Sequence, residues 1–276
     1  MKARPAHANR TLPVPALPAF LIRHWHQLAL AVLAPAAATV QAGLPEQVAA
    51  NKPAVVTVGT YSDLSSPRFN FRGTGFAVGD GRTLITNAHV VPDETAALAQ
   101  LAMQIGGPRT PGVDPQPETR KLNVLHVDRI HDLAVLQFSG SPLPVLALDA
   151  DDAAREGQAL AFIGFPIGGA LGFSPVTHRA TLSSITPIAL PPPSARLLDA
   201  AAVVRLRQGS FNIFQLDATA YPGNSGGPLF DVETGRVVGV VNMVLVKSSR
   251  ESVLSAPSGI SYAIPVRWVR EILGQK

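Results

Sequence analysis

A single serine, Ser225, stands among three glycines and between two prolines in "PGNSGGPLF", residues 222 to 230. Glycine and proline at this density bend the chain sharply, so the stretch displays one hydroxyl on a tight turn. A serine hydroxyl becomes a useful nucleophile only beside a base, usually histidine, that a third group holds in place. Four histidines follow residue 42: His89, His126, His131 and His178. His89 closes an apolar strand in "TLITNAHVV", whereas His126 and His131 lie in a polar stretch and read as surface residues. His178 precedes a strand and has no acidic neighbour. From these nine residues alone, a plain turn between two strands and a turn that presents a nucleophile are equally good readings.

The elements that must position these residues are short apolar runs separated by turns. They include "AVVTVGT" (54–60), "GTGFAVG" (73–79), "TLITNAHVV" (83–91), "KLNVLHVD" (121–128) and "DLAVLQF" (132–138). After a candidate linker, "SGSPLP" (139–144), come "ALAFIGFP" (159–166), "HRATLSSI" (178–185), "NIFQLDA" (212–218), "GPLFD" (227–231), "RVVGVVNMVLV" (236–246) and "GISYAIP" (259–265). Many β-branched strands at close spacing indicate an all-β sandwich or barrel. Only "DETAALAQLAMQ" (93–104) and the tail "PVRWVREIL" (265–273) carry a helical pattern, and in the tail Val266, Val269, Arg270 and Leu273 recur at helical spacing.

The first 42 residues differ from the rest. Lys2, Arg4, Arg10 and Arg23 are their only charges, and an apolar run ends on Val40-Gln41-Ala42. A basic leader, a short apolar segment and small residues at a cleavage position predict a secretory signal peptide over 1–42 and a mature chain from Gly43. Pro35 interrupts a run already too short to span a bilayer, so no stable membrane anchor is expected after cleavage. The chain has 23 Lys+Arg against 19 Asp+Glu, a net +4, and four of those basic residues lie in the leader. The remainder is balanced, which removes any charge-based case for a nucleic-acid partner. Cysteine is absent, excluding disulfides, thiolate zinc sites and a cysteine nucleophile.

"GTGFAVGDGRTLITNAHVV", "HDLAVLQF" and "DATAYPGNSGGPLF" occur in that order, and together they resemble the trypsin-like serine proteases of the HtrA/Deg type. The resemblance runs from about Val48 to Val269. It implies two six-stranded antiparallel, chymotrypsin-like β-barrels, the first over about 43–140 and the second over about 145–264, with a C-terminal helix over about 265–274. Carried over position by position, His89 matches the general base, Asp132 the orienting acid and Ser225 the nucleophile. Asp128 competes for the acid's place, but the family's acid immediately precedes "LAVL", so Asp128 is read as a solvated loop acid. The oxyanion hole falls on Gly223, Asn224 and Ser225, with the Gly223 and Ser225 N–H groups as donors. The primary specificity pocket falls on Thr219, Ala220, Tyr221, Asn242, Met243, Val244 and Ser261.

The resemblance therefore implies a secreted or periplasmic serine endopeptidase acting on polypeptides, with no metal and no cofactor. The alternatives are a catalytically weak, chaperone-like binding protein on the same fold and an esterase using the same triad. An esterase elbow of the "GxSxG" kind runs in the chain order Ser, Asp, His. Here the order is His, Asp, Ser, which favours the peptidase. Asn224 replaces the aspartate that digestive relatives pair with a new N-terminus, so the resemblance moves any control of activity to loops such as Leu190–Gln208 and Lys247–Ser258. The match ends with the protease domain, so peptide sensing by a PDZ domain is not carried over, nor is the family's trimer.

Overall fold

The computed structural model describes residues 43–106, 117–168, 173–187, 211–242 and 259–274; the leader and the two loops named above lie outside them. The first half is built from β1 (Val55–Tyr61), β2 (Phe69–Val78), β3 (Thr83–Thr86), β4 (Leu101–Ile105), β5 (Glu118–Lys121), β6 (Asn123–Asp128) and β7 (Leu133–Gln137). They form one antiparallel sheet in the order β5-β4-β1-β2-β3-β7-β6. Its two edge strands are consecutive in the chain, separated by Leu122 alone. β5 pairs with β4 and β6 pairs with β7, while Leu122 is buried and donates its N–H to the Leu101 carbonyl. Paired strands lie about 4.8 Å apart. One short segment can therefore border both edges only if the sheet curls round on itself. The run 118–128 is one bent strand counted twice, and with it the expected six strands are accounted for.

The helical pattern over 93–104 is largely overridden. Only Thr95–Leu98 makes a helical turn, and Leu101–Ile105 becomes β4, paired with the outer side of β1 at Thr57↔Gln104 through Thr60↔Leu101. Leu101, Ala102 and Met103 are buried there. A strand edge as apolar as β1, buried from Val55 to Gly59, gains more from a hydrogen-bonded partner than an isolated helix of three turns would return.

The second half is a closed six-stranded barrel in the order β10-β13-β12-β11-β8-β9. Its strands are β8 (Ala159–Gly164), β9 (Val176–Pro187), β10 (Asn212–Asp217), β11 (Pro228–Asp231), β12 (Val237–Asn242) and β13 (Ile260–Pro265), followed by the helix Val266–Ile272. Leu160, Phe162, Leu182, Phe214, Leu216, Leu229 and Val241 fill its interior. A further core cluster joins the halves: Phe76, Ile85 and Val135 from the first pack with Ile163, Phe230 and Val240 from the second, and Val266 and Val269 of the terminal helix close it. The all-β, two-part architecture with a short C-terminal helix is the one expected.

Candidate active site

Strand register brings His89 and Asp132 together. β3 pairs antiparallel with β7, with Thr86 opposite Ala134. The residues just after β3 thus run beside the residue just before β7. His89 lies on a single 3-10 turn, Ala88–Val90, that follows β3, and Asp132 immediately precedes Leu133. Asp132 adopts φ +53°, a left-handed conformation that aspartate tolerates better than most residues. From it, one carboxylate oxygen accepts the His89 backbone N–H at 2.9 Å, and the other meets His89 Nδ1 at 2.6 Å. A carboxylate only accepts, so Nδ1 carries the proton and Nε2 of a neutral ring is left as the basic nitrogen. The Asp132 carbonyl is held as well, accepting the Ala88 N–H at 3.1 Å and the Asn87 side-chain amide at 2.9 Å.

The second half contributes the other two parts of the site. Asn242, fully buried at the end of β12, donates its side-chain amide to Asp132 Oδ2 at 2.7 Å. Asn242 is expected in the wall of the specificity pocket; the strand end that carries it turns its side-chain amide toward the His89–Asp132 pair, a contact the sequence does not foretell. Ser225 is 5% exposed and lies in the turn just ahead of β11. That turn is pinned to β12 by the Gly226 N–H to the Val241 carbonyl and the Val241 N–H to the Gly227 carbonyl, both at 2.9 Å. Gly226 has φ +86°, and a Cβ there would lie 2.1 Å from the Thr74 carbonyl oxygen; only glycine fits so close an approach.

Thr74, in the middle of β2 and inaccessible to solvent, links the two halves at this point. Its N–H donates to the Ser225 carbonyl at 2.9 Å, and its hydroxyl donates to the Gly223 carbonyl at 2.7 Å. The same hydroxyl accepts the Phe165 N–H at 3.2 Å, and the Thr74 carbonyl accepts the Thr86 hydroxyl at 2.7 Å. Sequence reasoning passed over Thr74 and Asn87. The available signal was a small polar residue at a buried strand position in "GTGF", and an asparagine two places before His89.

The turn 221–224 is a backbone-bonded turn in which the Asn224 N–H donates to the Tyr221 carbonyl at 3.0 Å. The Asn224 N–H is thus engaged within the turn, and the two expected donors are those on either side of it, Gly223 and Ser225. Gly223 has φ +102°, and a Cβ there would lie 2.3 Å from the Phe165 carbonyl oxygen. The Pro222 carbonyl accepts the Ile167 N–H at 2.7 Å. In a trans peptide the N–H points opposite to the carbonyl, so the Gly223 N–H is directed away from Ile167.

Of the remaining expected pocket residues, Thr219, Ala220 and Tyr221 lie on the loop between β10 and β11. Ser261 faces that loop from β13, accepting the Ala220 N–H at 2.9 Å and donating to the Ala218 carbonyl at 2.7 Å. Its hydroxyl shapes the loop. Met243 and Val244 lie outside the described residues. Two histidine readings and one acid reading change. His131 and Asp128 are not surface groups: their side chains are 14% and 13% exposed and meet at 2.6 Å. Burial pushes the Asp128 carboxyl up, but the hydrogen bonds from the His131 ring and from the His131 and Ile130 N–H groups outweigh it and hold the group below the usual range. His178 lies within β9, its ring stacked on Phe162 with centroids 4.7 Å apart, and burial pushes its pKa down.

A family model described as "Trypsin-like peptidase domain" matches residues 73–240. The "Serine protease HTRA2, mitochondrial" of Drosophila pseudoobscura pseudoobscura is 28% identical over 201 residues, covering 73% of this chain and 38% of that protein. The "Probable periplasmic serine endoprotease DegP-like" of Pseudomonas fluorescens is 27% identical over 203 residues, covering 74% of this chain and 34% of that protein. The chain thus spans less than two-fifths of the length of these curated relatives. The crystal structure of the serine endoprotease from Yersinia pestis is similar with a TM-score of 0.56 and 22% identity, over 85% of this chain and 66% of that one. At that identity the likeness speaks for the fold. The matched span begins one residue before Thr74, includes His89, Asp132 and Ser225, and ends within β12: the chain belongs to the family of trypsin-like peptidase domains.

Proposed function

We propose that the protein is a serine endopeptidase in which His89, Asp132 and Ser225 form the catalytic triad. The observation that carries this is the two-point grip of Asp132 on His89, through the ring Nδ1 and the backbone N–H, beside a turn that holds one buried serine between left-handed glycines. His89 Nε2 takes the Ser225 proton as the hydroxyl attacks a peptide carbonyl, and Asp132 stabilises the imidazolium that forms. The N–H groups of Gly223 and Ser225 receive the charge that develops on the carbonyl oxygen. His89 then protonates the leaving amine, and water repeats the cycle on the acyl-enzyme. The Ser225 oxygen forms the new bond to the carbonyl carbon and the C–N bond then breaks, and the accompanying proton transfers and charge stabilisation come from His89, Asp132 and the two N–H groups.

The substrates are polypeptides, unfolded or damaged proteins among them, cut after small or medium apolar residues. Thr219, Ala220, Tyr221 and Ser261 bring no negative charge to the pocket loop, so a lysine or arginine side chain would lack a buried partner. The leader, and the periplasmic naming of one relative, support a periplasmic or secreted location over the mitochondrial one of the other. Casein digestion by the purified mature protein beside its Ser225→Ala variant tests the reading. The variant should lose about four orders of magnitude or more in kcat while staying folded. Undiminished proteolysis by the variant would sink the triad assignment, and no proteolysis by the wild type would favour the binding-protein alternative.

A further inference from the structure

We propose that His131 is a positioning residue for the catalytic carboxylate: held between Asp128 and Trp268, it fixes the turn that delivers Asp132 to His89. The proposal rests on the triad reading above.

Asp132 sits at φ +53°, and a non-glycine residue stays in that region only where its surroundings over-determine it. From Asp132 onward the fixing groups belong to the site itself: β7, Asn87, Ala88, His89 and Asn242. On the other side stands His131, the residue immediately before it. Its ring Nδ1 is 2.6 Å from Asp128 Oδ2. The second Asp128 oxygen accepts the backbone N–H groups of Ile130 at 2.9 Å and His131 at 3.1 Å. One carboxylate thus binds both the backbone and the ring across the turn 128–131.

The ring is fixed from its faces too. It stacks on Trp268 of the C-terminal helix, with centroids 3.7 Å apart and planes 17° from parallel, and meets Phe211 edge-on at 4.8 Å. Trp268 is itself covered by the Arg267 guanidinium, 4.7 Å from its ring centroid. The N-terminal half therefore packs the residue just before Asp132 against a surface built by the C-terminal helix. Residues 129–132 lie between the end of β6 at Asp128 and the start of β7 at Leu133, and within that stretch the His131 ring is the side chain that ties the turn to the C-terminal helix.

The arrangement repeats the bond between Asp132 and His89 in a place where no nucleophile is required. Its work is mechanical. The charged and titratable groups around it are Asp128, Arg129 and Asp132 on its own turn, with Arg129 paired to Asp93 at 2.6 Å, Arg267 on the terminal helix, and, beyond Asp132, His89 and Arg72. Arg72 donates to the His89 and Val90 carbonyls. If the His131 anchor is lost, the Asp132 carboxylate faces His89 less well and stabilises the imidazolium less. The acid limb of the rate profile then moves to lower pH. Removal of a positive charge near His89 would move it the opposite way, so the sign of the shift identifies the cause.

The test is the second-order rate constant for labelling of the mature protein by a fluorophosphonate probe, measured across pH, with the labelling end point read separately. His131→Ala should slow labelling by about 10- to 100-fold, the scale of an ångström-size misplacement, with an undiminished end point and an acid limb moved to lower pH. His131→Asn keeps a donor for Asp128 and should recover most of the rate; His131→Phe keeps the stack without the donor and should not. If the alanine variant does not fold, the asparagine and phenylalanine variants decide the matter between them. A lower end point with an unchanged rate constant and limb, or wild-type rates in all three variants, would overturn the proposal. Ser225→Ala runs in parallel. Labelling that survives in it refutes the triad and this proposal together, whereas its loss alongside normal His131 variants refutes this proposal alone.

Discussion

Deleting one hydroxyl tests whether the turn around Ser225 is braced from the other half of the molecule. Thr74→Val is nearly isosteric, but it removes the donor to the Gly223 carbonyl and the acceptor for the Phe165 N–H. The Phe165 bond is buried, and an orphaned buried polar group costs about 1–3 kcal/mol. The Gly223 carbonyl is partly buried and costs less, and the new methyl would replace an oxygen only 2.7 Å from it, forcing the turn to shift. The expected loss is about 2–4 kcal/mol, within the 5–15 kcal/mol that folded domains typically possess, so the variant should fold. Thr74→Ser keeps both hydrogen bonds and gives up one methyl, at about 1 kcal/mol. Urea unfolding monitored by tryptophan fluorescence gives the stabilities, and fluorogenic casein gives the rates. Valine should lower kcat by about 100-fold if the turn moves by an ångström, and serine should sit near wild type. Serine behaving like valine, or valine matching wild type in both measurements, would refute the bracing role.

Asn242→Leu removes a charge-directed hydrogen bond of about 1.5–3 kcal/mol from Asp132; kcat should drop by about 10- to 100-fold with a folded protein by circular dichroism. The half-buried His178 ring is harder to protonate in the folded than in the unfolded chain. Its contribution to stability is therefore complete above the unfolded pKa near 6.5 and is lost as pH falls below it. His178→Phe should flatten the fall in Tm between pH 7.5 and pH 5.5, and an unchanged slope would assign that fall to other groups. Mass spectrometry of casein fragments should find cleavage after alanine, valine or leucine, because an unpaired lysine or arginine in the pocket costs several kcal/mol, and each 1.4 kcal/mol is about tenfold. Fragments ending mainly in Lys or Arg would refute the neutral pocket.

The sequence by itself determined what is local or written in chain order. β-branched runs between glycine and proline turns specify an all-β chain, because strand-forming residues and turn formers act over a few positions. The order of His89, Asp132 and Ser225 within their motifs points to a peptidase site, because each motif carries its own backbone geometry. The left-handed glycines at 223 and 226 are legible for the same reason. Tertiary structure alone decided everything that depends on which strand end meets which. Asn242 reaches Asp132 across 110 residues, and Thr74 reaches Gly223 across 149; no spacing rule links such pairs. Whether Leu101–Ile105 is helix or strand was settled by the unpaired edge of β1, a partner remote in sequence. Polar surroundings in the sequence made Asp128 and His131 look solvated. Trp268, more than a hundred residues later, covers the His131 ring, since burial belongs to the packed molecule and not to the neighbours in the chain.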